Sequence, residues 1–167
     1  MLATAQDHAP ERRTTFELHA SRASILHVVF AAEMEFDTHT HDVPYLCFVV
    51  DGGYEEWSGS NHSVVGLGAQ RTYRLLSRHA VRTGAGGVAL LHVTDPLERE
   101  WDGEPSPGRL GLLWQIAAEV TRGDRADDAS ILHLDALTLE LRGGCEAEDT
   151  TFDGLSRAAA SARTRTG

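Results

Sequence analysis

The chain has 167 residues and a formal net charge of −10, because 25 acidic side chains stand against 15 basic ones, all of them Arg. The length fits one ordinary domain, and 41% apolar residues are enough to bury a single core, which excludes disorder throughout. The acidity excludes direct contact of this chain with nucleic acid, and the lack of a long apolar run or signal peptide excludes membrane contact, so we expect a cytoplasmic location.

The first long segment, residues 16–101, consists of short apolar or alternating runs separated by Gly, Asp, Asn and Ser, which is typical of β-strands. We predict strands at Ser24–Phe30, Glu33–Asp37, Tyr45–Val50, Tyr54–Trp57, Val64–Val65, Tyr73–Leu76 and Val88–Val93. Asp51–Gly53 and Ser58–Asn61 are predicted to be turns, because Gly accepts the positive φ that a tight hairpin requires. About eight short strands in one segment predict a closed sandwich or barrel.

The pattern changes at Glu104–Gly108, where Pro and Gly predict a hinge. Beyond it, apolar residues recur at helical spacing over Leu110–Val120 and again over Ile131–Leu141. The short polar connection between these segments predicts an antiparallel helical hairpin. Since the second helix is apolar on more than one face, the hairpin should pack on the β domain or on another copy of the protein.

Together these patterns divide the chain into four parts. They are a flexible N-terminus over residues 1–14, a β-barrel over 15–107, a helical hairpin over 108–142 and a disordered tail over 143–167. The tail has no periodic pattern that would support a packed element.

The densest group of potential ligands is His39-Thr40-His41. Two residues separated by one position project from the same face of a strand, so both imidazoles can reach one metal ion or one ligand. Imidazole binds Zn, Fe, Ni, Cu and Mn, and a divalent metal ion is the cofactor that this pair suggests. Two ligands alone rarely make a tight site, and a pair of metal-free pocket histidines remains the alternative.

In its wider context, His39-x-His41 followed by Tyr45 and Gly52 resembles the first motif of the cupin superfamily, with Tyr where the family usually has Glu. The resemblance implies a mainly β fold, namely a cupin-type jelly-roll barrel, here followed by the helical hairpin. It also implies that both histidines face the inside of the barrel.

The second cupin motif normally ends in another metal-binding His. Residues 87–98 are similar to it in their opening Gly and in spacing, but Val93 and Asp95 replace the expected Pro and second Gly, and Glu98 stands at the His position. The resemblance thus implies a metal site of His39, His41 and Glu98, the two-His, one-carboxylate set that non-haem iron uses.

A more specific resemblance comes from His-x-His-Asp-x-Pro-Tyr at residues 39–45 with Asp-Gly-Gly at 51–53, which is similar to the N-terminal sensor cupin of AraC-type transcription regulators. It covers about residues 15–142 and does not extend to the helix-turn-helix domain through which those regulators contact DNA. The resemblance implies a small-molecule effector in the barrel and a homodimer through the C-terminal helices. The residues assigned to effector binding are His39, His41, Tyr45, Tyr54 and His92, and those assigned to dimerisation are Leu134, Leu137 and Leu141.

Two hypotheses from different classes follow. The first is an effector-sensing and dimerisation domain without catalytic residues, and the second is a small metal-dependent cupin enzyme such as a dioxygenase or isomerase. A cupin that only dimerises is a third. Because the sequence supplies the cupin ligand set only in part, the sensor is favoured over the enzyme.

Overall fold

The computed structural model describes residues 12–19, 23–95, 106–122 and 129–141. Within these ranges seven strands and two helices follow one another: β1 (Arg12–His19), β2 (Ser24–Phe30), β3 (Glu35–Thr40), β4 (Tyr45–Ser58), β5 (Asn61–Gly66), β6 (Gln70–Tyr73), β7 (Arg78–Thr94), α1 (Pro107–Thr121) and α2 (129–141). All strand pairs are antiparallel. The predicted fold class, a mainly β jelly roll followed by two helices, is confirmed.

The long strands β4 and β7 each run through two sheets. Sheet I has the order β1-β2-β7-β4-β6 and uses residues 88–94 of β7 and 45–52 of β4. Sheet II has the order β3-β7-β4-β5 and uses residues 78–83 of β7 and 54–58 of β4. Sharing two strands holds the sheets face to face, as in other double-sheet jelly rolls.

The predicted turn at Asp51–Gly53 is wrong, because the chain continues through it as one strand, Tyr45–Ser58. Gly52 has a φ of 68°, and a Cβ at this position would collide with the carbonyl oxygen of Gly87. The pairing register with β7 shifts on both sides of Gly52. The positive φ therefore carries the strand from sheet I to sheet II and does not reverse it. The second predicted turn is confirmed, with Gly59 at a φ of 60° between β4 and β5.

Both helices lie on the outer face of sheet I. Ser106 caps α1, since its Oγ accepts a hydrogen bond from the Arg109 backbone nitrogen at 3.2 Å, and Pro107 follows in the first turn. The core formed there joins strand residues to both helices: Ala23, Ile25, Leu46, Phe48, Leu91, Val93, Leu113, Ile116, Ala117, Val120, Leu134, Leu137 and Leu141. We call this set the outer core.

The composition of the outer core differs from one prediction, the assignment of three α2 leucines to a dimer interface. Leu134, Leu137 and Leu141, which the sequence assigned to a dimer interface, are 1%, 5% and 1% exposed and pack inside the protomer. Of the two alternatives for the helices, packing on the β domain is the one observed. The three leucines are unavailable to a partner, and homodimerisation itself stays a prediction.

The inner faces of the two sheets form a second cluster, which we call the inner core: Val28, Tyr45, Cys47, Val49, Tyr54, Val65, Tyr73, Val88 and Leu90. Beside it lies a cavity of about 510 Å³, with walls from both sheets. This volume is in the range of sites that hold a small molecule.

The predicted terminal segments are described only in part. β1 begins at Arg12, inside the stretch expected to be flexible, so strand structure starts earlier than predicted. Residues 1–11 and the predicted tail at 143–167 lie outside the described residues. In the described part of the chain, neither helix has the length and apolar character that crossing a membrane requires.

Candidate metal centre

Three histidines meet at the cavity wall. His39 lies near the end of β3, His41 directly follows that strand, and His79 is the second residue of β7. The antiparallel register places His39 opposite His79. The Nε2 atom of His79 lies 3.0 Å from Nε2 of His39 and 3.1 Å from Nε2 of His41. One ligand atom from each residue can be chosen so that all three lie within 4.8 Å of one another.

The partners of the other ring nitrogens assign the tautomers of two of these rings. Nδ1 of His39 lies 2.8 Å from the backbone oxygen of Asp37, which can only accept, so the proton is on Nδ1. Nδ1 of His79 lies 3.2 Å from Oε1 of Glu56, and an ionised carboxylate also only accepts. In the neutral rings, Nε2 of His39 and Nε2 of His79 therefore face each other with lone pairs. A proton could bridge one such pair, whereas a metal ion would satisfy all three nitrogens.

Burial, together with the neighbouring His79 and His39, lowers the pKa of His41 to about 4, against a smaller opposing effect of Asp42. At neutral pH this ring is uncharged, which is the form that ligates metals.

Glu56 supports the site from behind. It is 8% exposed and bonds His79, while Nε of Arg71 lies 3.8 Å from its other carboxylate oxygen. Burial raises the pKa of Glu56, but hydrogen bonds from His79 and Tyr73 and the nearby charge of Arg71 lower it, and the net shift is downward. The carboxylate is thus ionised, as in the carboxylate–histidine–metal arrangements that orient metal ligands.

Tyr45 occupies the place where the first cupin motif usually has Glu. Its hydroxyl lies 3.1 Å from Nε2 of His41, and its ring stacks on Tyr73 with 4.8 Å between centroids. Burial raises the pKa of the Tyr45 phenol, with Cys47 and Glu56 adding to the shift. The side chain stays a neutral phenol at neutral pH and does not replace the carboxylate as an anionic ligand.

Of the other predicted site residues, two lie at the cavity and one lies outside the described residues. His92 and Tyr54 line the same cavity; the His92 ring lies 4.8 Å from that of Tyr45, and the Tyr54 hydroxyl is 2.9 Å from that of Tyr73. Glu98 lies outside the described residues, so its assignment as a metal ligand remains untested. The third histidine of the observed cluster is His79, which was not among the predicted site residues.

A weak signal for His79 exists in the sequence. The second cupin motif places Pro and Gly five and three residues before its final His, and here Arg74 and Leu76 hold those positions before His79. Leu76 has a φ of 58°, a conformation that usually favours Gly. Because neither Pro nor Gly marks the turn before His79, the sequence does not show the second motif there. The prediction placed that motif at residues 87–98, where an opening Gly and the spacing fit.

Comparisons with known proteins give distant structural likenesses. No protein-family model and no curated protein matches the sequence. Similar solved structures include an RmlC-like cupin from Shewanella frigidimarina (17% identity, TM-score 0.43, 51% of this chain and 74% of that one). They also include a cupin superfamily protein from Desulfitobacterium hafniense (14% identity, TM-score 0.43, 55% of this chain and 81% of that one). A third is the Clostridium difficile EutQ protein (13% identity, TM-score 0.45, 56% of this chain and 74% of that one). Two of the three are described as cupins, and at this distance the likeness says nothing about ligand or activity.

Proposed function

We propose that the protein binds a divalent transition-metal ion on His39, His41 and His79 and uses that ion to hold a small molecule in the cavity. The observation that carries the proposal is the 3.0 Å approach of two Nε2 lone pairs, on His39 and His79, at a point that His41 also reaches. Two facing lone pairs repel each other, and a metal ion between them would relieve that repulsion for all three nitrogens, whereas one proton serves a single pair.

The donor set suits ions of one class. Three neutral imidazoles select Zn, Fe, Co, Ni or Cu over Mg and Ca, which prefer oxygen. Two imidazoles bound at right angles about 2.1 Å from one ion have nitrogens about 3.0 Å apart, which matches the two short separations. Two of the rings also have the outer partners that metal-bound histidines usually have, Asp37 for His39 and Glu56 for His79.

His39, His41 and His79 would hold the ion, which would act as a Lewis acid toward a molecule bound in the cavity. The chain's own groups then orient the bound molecule. Tyr45 keeps a neutral phenolic proton beside His41, and apolar side chains of both sheets form much of the cavity wall around the bound molecule. This arrangement supports the metal-dependent enzyme hypothesis better than a metal-free effector pocket.

Metal analysis tests the proposal directly. Protein purified without chelator and loaded with zinc should hold about one ion per chain after dialysis, measured by mass spectrometry of the metal. His39→Ala, His41→Ala and His79→Ala should each lose most of that ion, because two remaining imidazoles make a weak site.

The matched control is His62→Ala, which replaces an exposed histidine of β5 that bonds Glu55 at 3.2 Å. It should bind zinc like the unchanged protein. A wild-type protein that retains no zinc, iron, cobalt or nickel would overturn the proposal, as would equal losses in the control.

A second proposal is the AraC-type sensor, for which the surface of α2 provides an observation. Leu132 and Leu139 are 69% and 49% exposed and lie seven residues apart, on one helix face. We propose this face, in place of the buried leucines, for a homodimer. Leu132→Glu with Leu139→Glu should give a monomer by sedimentation without loss of folding; a wild-type monomer would contradict the dimer.

A further inference from the structure

We infer that the cavity binds an aromatic monocarboxylic acid, a compact molecule with a flat apolar body and one carboxylate. The inference rests on the metal site proposed above and deepens it. Three features of the cavity wall carry it: an aromatic region, polar side chains that already have protein partners, and the placement of charge.

The apolar region lies where β7 passes between the sheets. Phe30 and Phe36 pack edge to face there, with ring centroids 5.2 Å apart and an interplanar angle of 81°. The strand register pairs Phe30 with Val88 and Phe36 with Val81, and all four line the cavity together with Leu90. The Phe36 ring lies 6.4 Å from that of His39, so the aromatic region directly adjoins the metal ligands. An aromatic ring held here would gain both burial and edge contacts.

Several hydroxyl groups of the wall already have protein partners. Thr83 Oγ1 donates to the backbone oxygen of Ala31 at 2.7 Å and accepts from the Met34 nitrogen at 2.8 Å. The hydroxyls of Tyr54 and Tyr73 bond each other at 2.9 Å. A sugar would bring several hydroxyls into this region and leave buried polar groups unpaired, which is unfavourable.

Charge limits the ligand to one acidic group. None of the described residues that line the cavity is Arg, and the chain contains no Lys. Glu17 adds a carboxylate to the wall. The proposed ion is then the positive charge available inside, so one carboxylate can bind it and a second has no partner.

Calorimetry on the zinc-loaded full chain tests the ligand class with four probes. Benzoate should bind more tightly than acetate by a factor of about ten or more, because only benzoate fills the aromatic region. Glutarate, with a second carboxylate, and glucose, with its hydroxyls, should show no binding. Removing zinc should weaken benzoate binding about tenfold or more.

Phe36→Ala should weaken benzoate binding about tenfold while zinc content and acetate binding stay unchanged. Phe36→Leu refills the space without a ring and provides the test should the alanine variant fail to fold. It should also weaken benzoate binding. The control Val64→Ala, at a residue 75% exposed, should bind benzoate normally.

Two outcomes separate this inference from the function on which it rests. Zinc-bound protein that binds acetate, glutarate or glucose as tightly as benzoate would overturn the ligand class and leave the metal site standing. Protein that binds no metal ion would overturn both.

Discussion

The outer and inner cores are built from alternate residues of the same strand and differ in chemistry. On β4, Leu46 and Phe48 face the helices, while Tyr45, Cys47 and Val49 face the cavity. The outer core is wholly apolar, whereas the inner core contains tyrosines and a thiol and adjoins three histidines. The difference indicates that one face of the strand stabilises the fold and the other builds a site.

The largest expected effect belongs to the outer core. Phe48 is 0% exposed and packs edge to face on Trp114 with 4.9 Å between ring centroids. Phe48→Ala should lower the free energy of unfolding by about 3–5 kcal/mol, measured by urea denaturation, because it leaves a cavity. Its control is Cys47→Ala on the opposite face, expected to cost clearly less. Equal losses would contradict the division of roles.

A substitution at the sheet crossing should disturb both cores. Gly52→Ala forces a Cβ into a backbone with a φ of 68° and against the carbonyl oxygen of Gly87. We expect about 1–3 kcal/mol of destabilisation together with weaker zinc binding, because the crossing sets β4 in register with both sheets. Gly59→Ala, at a φ of 60° in an open turn, controls for the strain alone and should leave zinc binding unchanged.

A substitution of Glu56 should affect the metal site beside the inner core and leave the outer core unchanged. Glu56→Gln keeps the shape but removes the charge that holds His79 in its tautomer, so zinc affinity should fall about tenfold, measured by competition with a chelating dye. Glu55→Gln is the matched control, since Glu55 is the preceding residue of β4 and bonds Arg82 and His62. If both variants bind zinc equally well, Glu56 has no role in positioning His79.

The smallest expected effect is at the start of α1. Ser106→Ala removes the cap of the Arg109 nitrogen and should cost about 1 kcal/mol in unfolding free energy. Zinc affinity should be unchanged, because α1 packs on the outer core. A loss of zinc affinity in this variant would show that the two cores are coupled.

Local patterns accounted for much of the fold. The β2 strand was predicted with the observed bounds, and the helical spacing of Leu110–Val120 lies inside α1. The turn predicted at Asp51–Gly53 is wrong because Gly with a positive φ occurs both in hairpin turns and in strands that pass from one sheet to another. Only the pairing of β4 with β7 distinguishes the two.

By itself, the sequence determined the mainly β class, the C-terminal helices and the placement of His39 and His41 on one face, since strand and helix periods act over neighbouring residues. Tertiary structure decided that His79 supplies the third nitrogen and that Glu56 stands behind it. Antiparallel pairing joins His79 to His39, 40 positions earlier in the chain, and also brings Glu56 of another strand beside it. The same packing decided which leucines of α2 are buried. Periodicity marks a face as apolar, and only the packed fold shows what covers it.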